Sequence, residues 1–141
     1  MKTCKGYEYI EHTGDVGIKV YGSTYEDLFQ NAWRAFFEII TEVERVNPVE
    51  KKIVTVESEG IERLLVSWLN EFLYLFDVDG WLFRNCEIQS LTESRVEAVA
   101  WGEKYDSDRH EMKTEIKGVT YHQLSIQRKK GRWETIIIFD I

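Results

Sequence analysis

The feature that most constrains this chain is the run from Ile61 to Phe76. Ile61, Leu64, Leu65, Trp68, Leu69, Phe72, Leu73 and Phe76 recur at intervals of three and four, which predicts a strongly apolar helix. Such a stripe has to be covered by another layer. "DVDG" stops it, because aspartate and glycine favour turns. A first amphipathic helix precedes it: Ser23 with Glu26 three residues later reads as a capping box, and Leu28, Phe29, Ala32, Phe36, Ile39 and Ile40 repeat at helical spacing before Pro48.

Everything else has β texture. Tyr7 to His12 alternates weakly, "GDVG" turns, and Ile18 to Tyr21 and Lys52 to Glu57 read as strands. After the second helix come Trp81 to Phe83, Cys86 to Leu91, Arg95 to Trp101, Tyr121 to Arg128 and Trp133 to Phe139, with "KKGR" as the last hairpin loop. Helices early and strands late predict an α+β fold, with two helices on one face of a mainly antiparallel β-sheet. At 141 residues the chain fits one domain, 1–141, able to bury about two-thirds of its unfolded surface.

Charge and composition exclude several classes. The formal charge of -7 works against binding a polyphosphate over the whole surface, so no direct nucleic-acid binding is expected. Cys4 and Cys86 form no CxxC pair and are too few for a disulfide scaffold. No apolar run approaches the roughly 18 residues of a membrane span, and the charged start has no signal-peptide core, so a cytoplasmic protein without membrane contact is expected. There is no phosphate-binding glycine loop, no HExxH and no GxSxG. "DVDG" fails as a calcium loop, because with Gly80 in sixth place the first and twelfth positions are Leu75 and Cys86. His12, His110 and His122 lack zinc spacing and read as hydrogen-bonded structural residues.

Three segments remain. Asp15 sits in a turn between glycines, where an aspartate ordinarily bonds its own backbone but is also presented without a bulky neighbour. The chain closes on "TIIIFDI", β-formers running up to Asp140 and Ile141 with no polar tail, an ending that reads as tied down. Asp140 and the α-carboxylate of Ile141 put two negative groups within one residue. If Asp15 met them, unit charges about 4 Å apart would repel by roughly 4 kcal/mol at an effective dielectric of about 20, and the cluster would call for a hard cation such as Ca²⁺ or Mg²⁺. The third segment, "GEKYDSDRHEMKTEIKGVTYH", is a long polar connection of the kind that is functional or mobile. Within it Lys117 follows Glu115 by two, on the same side of an extended chain, where the plain reading is a solvated ion pair.

"EHTGDVGI", "LLVSWLNEFLYLFD", "EIKGVTYH" and the final "FDI" together resemble the archease family, in the family's order and over essentially the whole chain. The resemblance implies a strand-helix-strand-strand (SHS2-like) α+β fold and a non-catalytic role as activator of the RtcB-type tRNA-splicing RNA ligase. Such an activator promotes guanylylation of the ligase and its multiple turnover in tRNA splicing and RNA repair. It further implies that a metal-binding aspartate falls on Asp15, a terminal acidic pair on Asp140 and Ile141, and a functional lysine on Lys117, with His12 and Glu115 as secondary candidates. The expected cofactor is a divalent cation, Ca²⁺ first, with Mg²⁺ or Mn²⁺ as alternatives. The family's other suggested role is a chaperone-like binding module for a tRNA-modifying enzyme such as a methyltransferase. Two positions depart from the family pattern: Gly14 and Gly118 stand where alanine is usual, and the freedom of Gly14 bears on how Asp15 is aimed.

Overall fold

A computed structural model describes residues 6–10, 14–120 and 125–141. In chain order the elements are β1 (Tyr7–Ile10), β2 (Val16–Gly22), α1 (Tyr25–Ile40), a 3₁₀ turn (Val43–Arg45), β3 (Glu50–Glu57), α2 (Ile61–Asp79), β4 (Trp81–Leu91), β5 (Arg95–Lys104), β6 (Gly118–Thr120), β7 (Gln127–Lys129) and β8 (Arg132–Asp140). The α+β class and the two helices are as the periodicity predicts. The strands, however, are divided between two antiparallel sheets rather than joined in one. The first has the order β1-β2-β8-β6, with β7 also on β8, and the second has the order β3-β5-β4.

Both helices bury their stripes against the inner faces of both sheets, in one contiguous core. From β2 come Ile18 and Val20, from β8 Ile137 and Phe139, from β3 Val54 and Val56, and from β5 Val96, Ala98 and Ala100. At the centre the rings of Trp68, Phe72, Phe83, Phe37 and Trp33 meet in sequence, mostly edge to face, with centroids 4.8 to 5.8 Å apart. The Trp68 indole N–H donates to the Phe29 carbonyl at 3.2 Å, so that ring enters the core with its polar atom satisfied. Among the described residues, no helix is long and apolar enough to cross a membrane.

Local chemistry moves some boundaries. The cap of α1 is Thr24, one residue after the expected Ser23: its hydroxyl accepts from the Asp27 N–H at 3.0 Å, while Ser23 hydrogen-bonds the Asp27 carboxylate. At the end of α2, Gly80 takes a left-handed φ of 75° and donates its N–H to the Phe76 carbonyl at 2.9 Å, so "DVDG" is a helix stop. The stretches around Cys86 form one strand, β4, interrupted by a bulge at Arg84, whose guanidinium reaches the carbonyls of Glu44 and Val46. Gly102 lies opposite Phe83, where a Cβ would come within 1.9 Å of the Leu82 carbonyl oxygen. The expected strand from Tyr121 to Arg128 is not continuous: β6 ends at Thr120, β7 begins at Gln127, and 121–124 lie outside the described residues. "KKGR" closes β7 onto β8 as predicted, with Lys130 and Gly131 both at positive φ, as a two-residue hairpin turn requires.

Candidate functional site

One end of the first sheet gathers the separated segments. In β2 and β8 the last paired residues are Val16 and Phe139, so Asp15 and Asp140 follow at the same end of neighbouring strands. On the other side of β8, Gly118 pairs with Asp140, and the Lys117 N–H donates to the Asp140 carbonyl at 2.7 Å. Three separate chain segments, the first more than a hundred residues from the other two in sequence, therefore end side by side, with Ile141 just beyond. Asp15 is half-buried, whereas Lys117, Asp140 and Ile141 are exposed. The alternation of β8 buries Ile137 and Phe139 in the core, and Asp140 shares the opposite, outer face with Ile136 and Ile138.

The ligand atoms this tip offers among the described residues are carboxylate oxygens, a set suited to a hard divalent ion. Among the described residues, no three His, Cys, Asp or Glu side chains converge on one point, so two carboxylates and the α-carboxylate of Ile141 would leave most of a six- to eight-fold shell to water or to a partner. The candidate His12 lies outside the described residues. Gly14 adopts a φ of 75°, a conformation that alanine enters at a cost, whereas a Cβ at Gly118 would meet open space. The two departures from the family pattern are thus unequal: only the one beside Asp15 uses what glycine alone provides.

The polar connection to Lys117 is laid down by a series of specific bonds. Near its start, the Glu103 carboxylate accepts from the Asn47 N–H at 2.8 Å and from His110 Nε2 at 2.8 Å, and it pairs with Arg109. His110 Nδ1 accepts from the Asp106 N–H at 2.9 Å, which assigns the ring proton to Nε2. The Arg109 guanidinium, followed by the Asn47 and His110 hydrogen bonds, holds the Glu103 carboxyl down at about 2 against the opposing effect of burial. Farther along, the Thr41 hydroxyl donates to the Glu111 carbonyl, the Lys113 N–H to the Ile40 carbonyl, and the Lys113 ammonium to the Glu38 carbonyl at 2.7 Å. Ile116 then enters the core.

Glu115 does not pair with Lys117. Residues 113–117 are not extended into a strand, and no ion pair joins the two among the described residues. The Glu115 carboxylate instead faces Asp77 of α2, whose carboxyl is pushed up by burial first and by Glu115 second. Both line a cleft of about 410 Å³ with Ile40, Phe76, Met112 and Ile116. The Glu103–Arg109–His110 network had only one trace in the sequence, a histidine with no metal spacing. Nothing in the order of residues 103, 109 and 110 announces that they share a carboxylate.

The fold and this site define a class: a small α+β protein whose two helices are covered by antiparallel sheets, with an acidic tip made where three strand ends meet. A model of the Archease protein family (MTH1598/TM1083) matches residues 7–141, and the chain belongs to that family. It is 40% identical to the protein archease of Methanosarcina mazei over 141 residues, covering 97% of each chain. To that of Methanopyrus kandleri it is 38% identical over 138 residues, covering 96% of this chain and 99% of the relative. Among solved structures, protein 1598 of Methanobacterium thermoautotrophicum superposes with a TM-score of 0.80 at 30% identity, covering 97% of this chain and 99% of that one. The crystal structure of a Thermotoga maritima archease, described as a possible chaperone, shares the fold with a TM-score of 0.68 at 24% identity and 94% coverage of both chains.

Proposed function

We propose that this protein is a non-catalytic activator of an RtcB-type tRNA-splicing RNA ligase, acting in the cytoplasm as a single domain and promoting guanylylation of the ligase and its repeated turnover. The observation that carries this reading is the adjacency of Asp15, Asp140 and Lys117 at one end of the first sheet. Membership of the archease family supports it. Asp15, Asp140 and the carboxylate of Ile141 would hold a divalent ion, Ca²⁺ before Mg²⁺ or Mn²⁺, whose role is to neutralise the clustered carboxylates and to join them to oxygen ligands of the partner. Lys117, exposed beside them, meets a phosphate of the bound nucleotide or an acidic residue of the ligase. A net charge of -7 suits a partner whose RNA- and nucleotide-binding cleft is basic, because complementary fields speed encounter.

The test is guanylate transfer to the ligase under multiple turnover, with GTP and a divalent ion present. Wild-type protein stimulates it, and Asp15→Ala removes the stimulation while leaving the circular dichroism spectrum unchanged. Full stimulation by a folded Asp15→Ala variant would sink the proposal. A second reading, a chaperone-like module for a tRNA-modifying enzyme, has its own observation. Ile53 is 61% exposed on the outer face of the second sheet, paired with half-buried Val99, and Trp101 follows on the same face. Under that reading, protection of a client from aggregation survives Asp15→Ala and is lost on Ile53→Lys.

A further inference from the structure

The net charge of -7 is unevenly spread, and the end of the first sheet opposite the acidic tip carries the reverse sign. Arg128, Lys129, Lys130 and Arg132 crowd the β7–β8 hairpin, and Lys19 stands beside them on β2. Arg128 pairs with Trp133 on the inner side of the sheet, which leaves four cations on the outer face, and among the described residues two carboxylates face them. Glu134 lies 3.9 Å from Lys19, 3.7 Å from Lys129 and 3.9 Å from Arg132, and Glu8 is bonded by the Tyr21 hydroxyl. Four cations less two anions leave an excess of two on that face. Glu26 and Asp27, in the first turn of α1, lie on the inner side of the sheet, where Tyr25 stacks on Trp133.

On the outer face the Arg132 guanidinium lies over an aromatic ring, 3.7 Å from the centroid of Tyr21, while Arg128, 5.1 Å from that of Trp133, flanks the hairpin from the inner side. A guanidinium fixed in this way keeps its donors and one planar face for an incoming group. Between Lys19 and Lys129 runs a shallow groove of about 190 Å³ lined by Ser125, Gln127 and Thr135, whose polar groups suit phosphate oxygens, and by Glu134, whose carboxylate is countered by the three cations around it. Next along the same face of β8 comes Ile136, 46% exposed, an apolar surface on which a base can lie. Phosphate-binding cations, a stacked arginine and an exposed sheet surface, together along one face, match the way single-stranded RNA is held.

We propose that the β7–β8 hairpin end of the outer sheet face binds the phosphate backbone of single-stranded RNA. The acidic remainder of the molecule repels the same ligand and so restricts it to this end. The proposal does not rest on the ligase reading, because binding is measured on the protein alone. An end-labelled single-stranded RNA of about 12 nucleotides, within the site sizes such surfaces cover, is titrated with the full chain and followed by fluorescence anisotropy at several salt concentrations. Saturable binding is expected, with log K falling against log salt at a slope of about -1.4, the value for two neutralised phosphates on a single strand. Lys129→Gln with Lys130→Asn should weaken binding about tenfold and flatten that slope, and Lys130→Asn alone, in a turn where asparagine accepts positive φ, should act in the same direction without touching an ion pair. Asp15→Ala should bind RNA as the wild type does. Absence of saturable binding at low salt, or equal binding by the folded double variant, overturns the proposal. So does a double variant that binds RNA normally but no longer stimulates the ligase, which would assign the hairpin to a protein partner.

Discussion

Glu103 shows how a single side chain can organise a segment that has no regular structure. Its carboxylate receives the Asn47 N–H, the Arg109 guanidinium and His110 Nε2, and so joins the turn before β3 to the end of β5 and the connection beyond it. Glu103→Gln keeps the volume, loses the charge and places an NH₂ against donors, so a loss of about 2 kcal/mol is expected in urea unfolding. The pH dependence has a definite sign. A carboxyl held at about 2 in the folded state and near 4.5 otherwise contributes stability that is fully present above 4.5 and lost as pH falls through 2. Unfolding midpoints measured from pH 7 to pH 2 should therefore converge for wild type and Glu103→Gln at the acid end, and a gap that persists at pH 2 would show that charge is not the cause. At this scale the sequence was a partial guide. His110 was legible as a hydrogen-bonded residue because no ligand spacing surrounded it, while its partner was hidden seven positions earlier in an ordinary strand.

Among the elements, the glycines at 80 and 102 make opposite demands. Gly80 is needed for its backbone: at φ 75° a side chain is strained, but the nearest atom to an added Cβ is 3.9 Å away. Gly80→Ala should therefore cost about 1 kcal/mol and leave the fold unchanged. Gly102 is needed for its emptiness: a Cβ there would sit 1.9 Å from the Leu82 carbonyl oxygen and 2.7 Å from the Phe83 Cα, both backbone atoms that cannot step aside. Gly102→Ala should break the β4–β5 pairing at its bulge and lower the melting temperature by well over the few degrees that about 1 kcal/mol produces in a domain of this size. Equal melting temperatures for the two variants would contradict this contrast. The helices were legible because their apolar residues repeat every three or four positions for several turns. The cap of α1 was misplaced by one because Ser23 and Thr24 are both competent caps, and only the bond to the Asp27 N–H decides between them. The division into two sheets was not legible at all, since alternation along a strand says which face is buried and nothing of which strand lies alongside.

On the scale of the whole molecule, β8 is the organising strand, with β2 on one edge and both β6 and β7 on the other. From Arg132 to Asp140 it runs about 27 Å, at roughly 3.4 Å per residue, and it joins a basic hairpin to an acidic tip on one face. The chemistry of that tip was legible only in pieces: each acidic residue could be singled out in the sequence, but their meeting depends on the register that pairs Val16 with Phe139, 123 residues on. If the carboxylate of Ile141 is a ligand, one glycine added after it moves the charge and spares every strand pairing. That variant should keep the wild-type melting temperature in the absence of divalent ions and lose the rise that millimolar Ca²⁺ gives the wild type. An unchanged rise would remove Ile141 from the site. The same strand has a consequence for biosynthesis. Because β8 follows every other described strand in the chain and yet lies in the interior of its sheet, β2 waits for its neighbour until more than a hundred further residues have emerged, and the ordinary order of assembly, first made and first folded, is reversed for this sheet. A nascent chain interrupted before Arg132 would carry β2 without its β8 neighbour and Asp15 without the Asp140 that β8 brings beside it.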